Sequence, residues 1–175
     1  KWSLEAYEFL IKQGTVISKS FLNSILVTFM GTALGIMVTV LLAYTISRKE
    51  LVGRKLIMLF VFFTMLFNGG MVPTYLMYTQ IFHIKNTMWA LLFPHLLVNG
   101  FNVLLVRTFF NENIPEVLLE AARIDGAGEI SIFRNVVLPI SKPILATIGL
   151  LVGVGYWNDW YNGLLFVTDV NYYTL

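Results

Sequence analysis

Charged residues fall in clusters along this chain, and the uncharged stretches between the clusters make its first prediction. None occurs between Lys19 and Arg48, between Lys55 and Lys85, or between Lys85 and Arg107. A helix crossing a hydrocarbon core needs about 20 mostly apolar residues, because roughly 30 Å is covered at 1.5 Å per residue. The pattern therefore predicts spanning helices near residues 20–46, 56–80 and 87–106. A fourth runs from Pro143 to Phe166 and is interrupted by Asn158 and Asp159. Buried helices of a soluble protein would need covering segments, and the loops here are too short to supply them.

Local detail refines each segment. Residues 1–19 carry Trp2, Leu4, Tyr7, Phe9 and Leu10 among Lys and Glu, the composition of an interfacial amphipathic helix. Gly31 and Gly35 stand four apart in the first span, which suits close packing against another helix of the same bundle. The second span is broken by Asn68-Gly69-Gly70 and Pro73, as expected of a helix bordering a cavity or kinked against a neighbour. The third carries Pro94, His95, Asn99, Gly100 and Asn102, too polar to face only lipid.

The segment 107–142 is the most informative. Ile114-Pro115-Glu116 starts a helix. Leu118, Ala121 and Ala122 are expected on its apolar face, with Glu116, Glu120 and Arg123 opposite. The helix halts at Asp125-Gly126-Ala127-Gly128, where glycine takes a left-handed turn. A second short helix follows with Ile130, Phe133, Val136 and Val137 expected inward, ended by Leu138-Pro139. Two short helices about a glycine turn form a knob between two spans. Such a knob either fits a groove of a partner or only returns the chain to the membrane.

Composition and charge agree with this organisation. The chain is 57% hydrophobic and 13% charged, against about a quarter charged in soluble domains. A formal charge of +2 without a basic run gives no footing for nucleic acid. The absence of cysteine excludes disulfides, thiol catalysis and Cys-ligated zinc. Arg48, Lys49, Arg54 and Lys55 in one loop, with Arg107, Arg123, Arg134 and Lys142 in the other, put loops 47–55 and 107–142 on one side. The excess of basic residues makes that side cytoplasmic. Lys1, Lys12, Lys19 and Lys85 fall on the other.

The wording of the knob resembles the permease subunits of binding-protein-dependent ABC importers. Those carry Glu-Ala-Ala, three residues, Gly, nine residues, Ile, one residue, Leu-Pro. Here Glu120-Ala121-Ala122, Gly126, Val136, Leu138 and Pro139 stand in register, with Val136 in place of Ile. The run Glu120 to Ala127, which includes Asp125, is similar to the carbohydrate-uptake branch, the maltose-type permeases. Asn23-Ser24, Gly69 to Thr74 and Trp157-Asn158-Asp159 add to the likeness. The resemblance implies an all-α, polytopic transmembrane bundle of the type I importer fold. The chain would be a fragment covering about four of six spans, with 107–142 as the cytoplasmic coupling loop. It also implies a bacterial inner-membrane location and, as partners, an ATPase pair, a second permease and an extracytoplasmic solute-binding protein. ATP would be bound by the ATPases, and this chain would need no cofactor or metal.

Other motifs carry less. No P-loop is present, so no ATPase site is expected in the chain itself. Gly153-Val154-Gly155 lies in an apolar run and reads as packing. His83 reads as a turn residue and His95 as a polar group inside the bundle; neither has a partner at metal spacing. Asn99, Trp157, Asn158, Asp159 and Trp160 form the candidate solute path, since aromatic faces beside amide and carboxylate groups suit sugar rings. An aromatic belt with a solvated Asp159 is the alternative. A permease for a peptide or polyamine, a secondary transporter and a purely structural membrane protein remain the competing functions. The secondary transporter would call for coupling carboxylates or inverted repeats, and Asp159 is the sole candidate.

Overall fold

The computed structural model describes residues 14–94 and 97–174. The amphipathic reading of residues 1–13 and the placing of His95 lie outside these. Every regular element among the described residues is helical. In chain order they are α1 (Gly14–Ser47), α2 (Arg54–Leu66), α3 (Met71–Leu76), α4 (Trp89–Leu92), α5 (Gly100–Asn113), α6 (Glu116–Ile124), α7 (Glu129–Ile132), α8 (Leu138–Ile140), α9 (Lys142–Trp157) and α10 (Trp160–Phe166). Residues 14–19, expected in an interfacial helix, are instead the first turns of α1.

Among the described residues, helix α1 alone is long and apolar enough to cross a membrane. Its 34 residues make a rod of about 51 Å. Two broken pairs meet the same criterion only if each is one span: Arg54–Leu66 with Met71–Ile81, and Glu129–Ile140 with Lys142–Trp157. The expected break in the second span falls at Phe67–Gly70, where Gly70 has φ +83°. Pro73 sits in the first turn of the new helix, which tolerates its missing N–H. The break therefore belongs to the glycine, not the proline.

The third expected span is corrected. Residues 87–106 are not one helix: α4 has four residues, and α5 begins only at Gly100 and runs past Arg107 to Asn113. Asn99 explains the restart, since its side chain accepts hydrogen bonds from the N–H groups of Phe101 and Asn102, at 2.9 and 3.3 Å. The fourth span is interrupted where the sequence indicated, with α9 ending at Trp157 and α10 starting at Trp160.

The chain forms two compact units. The first comprises residues 1–32, 69–96 and 153–175, and the second 33–68 and 97–152. Small residues pack both. In the first, a Cβ on Gly31 would collide with the Tyr156 ring, and one on Gly153 would stand 3.3 Å from Thr32. In the second, Gly35 faces Val152 and Gly149 faces Ile36. The glycine pair of the first span thus serves helix packing within the chain, as expected. The Tyr156 hydroxyl donates to the Leu92 carbonyl at 2.8 Å and is thereby satisfied in a buried position. In the second unit Val103, Val106, Ile132 and Val137 are fully or almost fully buried. Helix α2 is the contrast: Val61 is its only buried residue. Leu59, Phe60, Phe63 and Leu66 stay exposed, an apolar surface that requires lipid or another chain against it.

Candidate functional site

The knob lies wholly in the second unit. Helix α6 starts at Glu116, directly after Pro115. It ends on a Schellman arrangement: the Gly126 N–H donates to the Arg123 carbonyl at 3.0 Å and the Ala127 N–H to the Ala122 carbonyl at 2.9 Å. Gly126 has φ +80°, the left-handed conformation its position predicts. Helix α7 then passes into a π turn over Phe133–Val137 and on into α8. Pro139 has no N–H for the Asn135 carbonyl, so a regular helical ladder cannot continue through it. Leu138-Pro139 does not end the helix, as expected from sequence. It runs on to Ile140, and the chain turns by 80° about Ser141. The buried Ser141 hydroxyl holds that turn by donating to the Val137 carbonyl at 2.6 Å.

The faces of the knob reverse part of the expectation. Val117, Leu118, Ala121 and Ile124 point outward, with Ile124 at 86% exposure, and Ile130, expected inward, is 84% exposed. Arg123, expected on the outer polar face, is half-buried on the inner side with Leu119 and Ala122. Ile132 and Val137 fill the inner face of the second helix, with Phe133, Val136 and Leu138 partly covered. Glu120, Asp125 and Pro139 are exposed. The reason lies in loop 47–50, which supplies partners that helical periodicity cannot reveal.

Three segments meet there through ion pairs. Arg123 donates to Glu50 at 2.7 Å and to Glu129 at 3.0 Å. Lys49 pairs with Glu116 at 2.6 Å and Arg48 with Glu129 at 3.6 Å. The Tyr44 hydroxyl donates to the second oxygen of Glu129 at 2.8 Å and accepts from Arg48. The Tyr44 ring lies 4.8 Å from that of Phe133 and under the Arg48 guanidinium. Burial pushes the Glu129 carboxyl up, but the hydrogen bonds from Tyr44 and Arg123 outweigh it and hold it below the ordinary carboxylate value. The Arg123 hydrogen bond lowers Glu50 in the same way, and Glu116 raises Lys49. Loops 47–55 and 107–142, put on one side by their charges, are in direct contact. Tyr44, Arg48, Glu50 and Glu129 have roles that the sequence did not disclose; the four basic residues of loop 47–55 were the available signal.

The candidate solute path divides between the units. Asn99, in the second, is the cap of α5. In the first, Asp159 caps α10 by accepting from the Asn162 N–H at 3.2 Å. The Asn162 amide in turn donates to Asp159 at 2.7 Å and to the Pro94 carbonyl at 3.0 Å. Asn158 is exposed and donates to the Val154 carbonyl. Trp157 and Trp160 are 46% and 69% exposed, Trp157 standing edge-on to Phe21. The polar members of the path are thus engaged locally while the indole faces stay open. His83 is exposed in a turn, as read from the sequence, with φ +52°. Nearby Asn86 holds the segment after α10, its side-chain oxygen accepting from the Thr168 and Asp169 N–H groups.

Comparison with known proteins matches residues 31–171 to the family described as "Binding-protein-dependent transport system inner membrane component". The polygalacturonan/rhamnogalacturonan transport system permease protein YtcP of Bacillus subtilis is 42% identical over 96% of this chain and 57% of its own length. The melibiose/raffinose/stachyose import permease protein MelC of the same organism is 32% identical over 91% of this chain and 58% of its own. Among solved structures, a bacterial ABC transporter involved in the import of the acidic polysaccharide alginate superposes with a TM-score of 0.85 at 30% identity. It covers 90% of this chain and 55% of that one. The chain therefore spans somewhat over half the length of these relatives.

Proposed function

The chain belongs to the family of binding-protein-dependent transport system inner membrane components, and on that premise we propose that it forms part of the translocation path for a sugar or oligosaccharide. The cargo is delivered by an extracytoplasmic solute-binding protein. The subunit works beside a second permease and a pair of ATPases, which bind the ATP that this chain has no loop to hold. The knob, on the cytoplasmic side, takes up the movement of one ATPase. ATP binding closes the ATPase pair, draws the knobs together and turns the path outward; hydrolysis resets it.

The observation that carries the reading is the outward apolar face of Val117, Leu118, Ala121, Ile124 and Ile130 on a knob braced from behind by ion pairs. Apolar side chains on a stiff, water-exposed helix pair suit a partner's groove, and the bracing passes displacement on to α1. Glu120 and Asp125 stand exposed next to that stripe in sequence, and Pro139 is exposed on α8. On the path side, Trp157, Trp160 and Asn158 offer ring faces and an amide to sugar rings, while Asp159 and Asn99 keep their helix caps. Two of the three named relatives are described for polygalacturonan/rhamnogalacturonan or alginate and the third for melibiose, raffinose and stachyose. Uronate-containing and neutral oligosaccharides are therefore both to be tested as cargo, the uronates first.

The complete subunit, with its companions, would be placed in vesicles and ATP hydrolysis followed with cargo-loaded binding protein. Loaded binding protein should stimulate hydrolysis, and Ile124→Glu or Gly126→Pro should abolish the stimulation while the subunit stays inserted and assembled with the second permease. Unchanged stimulation in both variants would refute the coupling role.

A further inference from the structure

Behind the knob, inside the second unit, lies a cavity of about 640 Å³, a volume typical of small-molecule sites, which run from roughly 300 to 1,000 Å³. It is enclosed by the end of α1, the loop after it, the last turns of α5 and the inner side of α6. Five basic side chains line it (Arg48, Lys49, Arg54, Arg107 and Arg123) against three acidic ones, Glu50, Glu112 and Glu116. The cations are not all answered. Lys49 is paired with Glu116, and Arg123 with Glu50 and Glu129. Arg54 and Arg107 are both half-buried and have no carboxylate partner among the described residues. Arg107 spends only its Nε on the Ile46 carbonyl, at 3.4 Å, which leaves the fork of its guanidinium open. The Nε of Arg48 is buried and also lacks a hydrogen-bond partner.

Unanswered guanidinium groups in a half-enclosed site are costly unless an anion completes them. A guanidinium fork matches the spacing of two oxygens on one phosphorus, and two such forks suit a phosphate better than a lone carboxylate. The remaining walls are apolar, with Phe110, Ile114 and Leu119 among them. The site also sits where α1 leaves its uncharged run at Ser47 and the first charges begin, the depth at which lipid phosphates lie.

We propose that this cavity binds a phosphate-class anion, the headgroup of an anionic phospholipid or free phosphate, on the forks of Arg54 and Arg107. The occupant would sit against the inner side of α6 and fill the space behind the knob. Glu112 lines the same cavity, is exposed and works against anion binding.

The test uses the complete transporter in nanodiscs of phosphatidylcholine, with and without phosphatidylglycerol, or with inorganic phosphate added. Retained lipid is counted by native mass spectrometry and the thermal midpoint recorded in each condition. Phosphatidylglycerol should be retained and should raise the midpoint; phosphate raising the midpoint in its absence would identify the free anion as the occupant. The double variant Arg54→Gln, Arg107→Gln should lower retention or phosphate affinity roughly tenfold, whereas Arg134→Gln, outside the cavity, should not. If neither additive acts, or if the double variant responds as the parent does, the proposal is overturned. Should the double variant fail to fold, Glu112→Gln decides: binding must tighten, and unchanged or weaker binding overturns the proposal.

Discussion

The knob and the Trp157–Trp160 turn both looked functional in the sequence, and both engage polar side chains in contacts within the protein, but by different means. At the turn the partners are an amide and backbone groups around one carboxylate. Asp159 caps the helix that follows it, and Asn162, three residues on, joins it to the carbonyl of Pro94, itself far away in sequence. Asn162 is 2% exposed, so this network lies out of reach of salt. At the knob the partners come from segments far apart in sequence, and their charges remain partly in water. Buried amide contacts resist change because breaking them leaves orphaned groups. Partly hydrated ion pairs set position cheaply and reversibly. The turn is held by contacts that salt cannot loosen, and the knob by contacts that it can.

The contrast is most exposed to a change at Asn162. Replacing it by Leu leaves the Pro94 carbonyl and part of Asp159 without a donor. We expect a loss of about 1–3 kcal/mol in unfolding stability, read as a lower thermal midpoint of the assembled transporter and unaltered by salt. A neutral result would mean that the turn is not held as described. Gly126→Ala comes next. No atom lies within 4 Å of a Cβ there, so the cost is the left-handed backbone alone, about 1–2 kcal/mol. It should appear as faster amide exchange in α6 and α7, with the turn unaffected.

Arg123→Gln should have the smallest effect on stability, below about 1 kcal/mol per lost pair, and should disappear in 1 M salt, where screening acts over about 3 Å. A loss that survived salt would argue that the knob, too, is held by desolvated contacts. Acid offers a matching probe. Glu50 and Glu129 lie below the ordinary carboxylate value, so their contribution is complete at neutral pH and fades as pH falls through those lowered values. A spin-label distance between loop 47–50 and α6 should therefore lengthen once pH falls below the ordinary carboxylate range, while one across the Trp turn should hold.

How far the sequence disclosed this molecule depended on whether the deciding interaction was local. The Schellman turn at Gly126 and the interruption at Asn158-Asp159 follow from neighbours in the chain and were legible. The spacing of Gly31 and Gly35 showed close helix packing but not their distant partners Tyr156 and Val152. The orientation of α6 was not. Periodicity places Leu118 and Ala121 together correctly, but it adds Ala122, which lies on the inner side, and it cannot tell which side faces the protein. Here Glu50 and Glu129 claim Arg123, so the stripe turns out. The continuous helix expected over residues 87–106 failed for a related reason. Uncharged length was counted, while the capping side chain of Asn99, which restarts the helix at Gly100, was read only as polarity. Asp159 shows the same ambiguity, since a carboxylate beside indole rings fits a ligand site and a helix cap equally well.

The outward stripe of the knob bears on assembly order. Until a partner covers them, Ile124, Ile130 and Val117 present branched aliphatic side chains at 86%, 84% and 71% exposure, the kind of surface that non-specific association and proteolytic triage act upon. On the proposed coupling role, an orphan subunit is marked by the same residues that an assembled one uses. On that reading its half-life in the cell should shorten when the partner is scarce, which pulse-chase labelling with and without the partner would check.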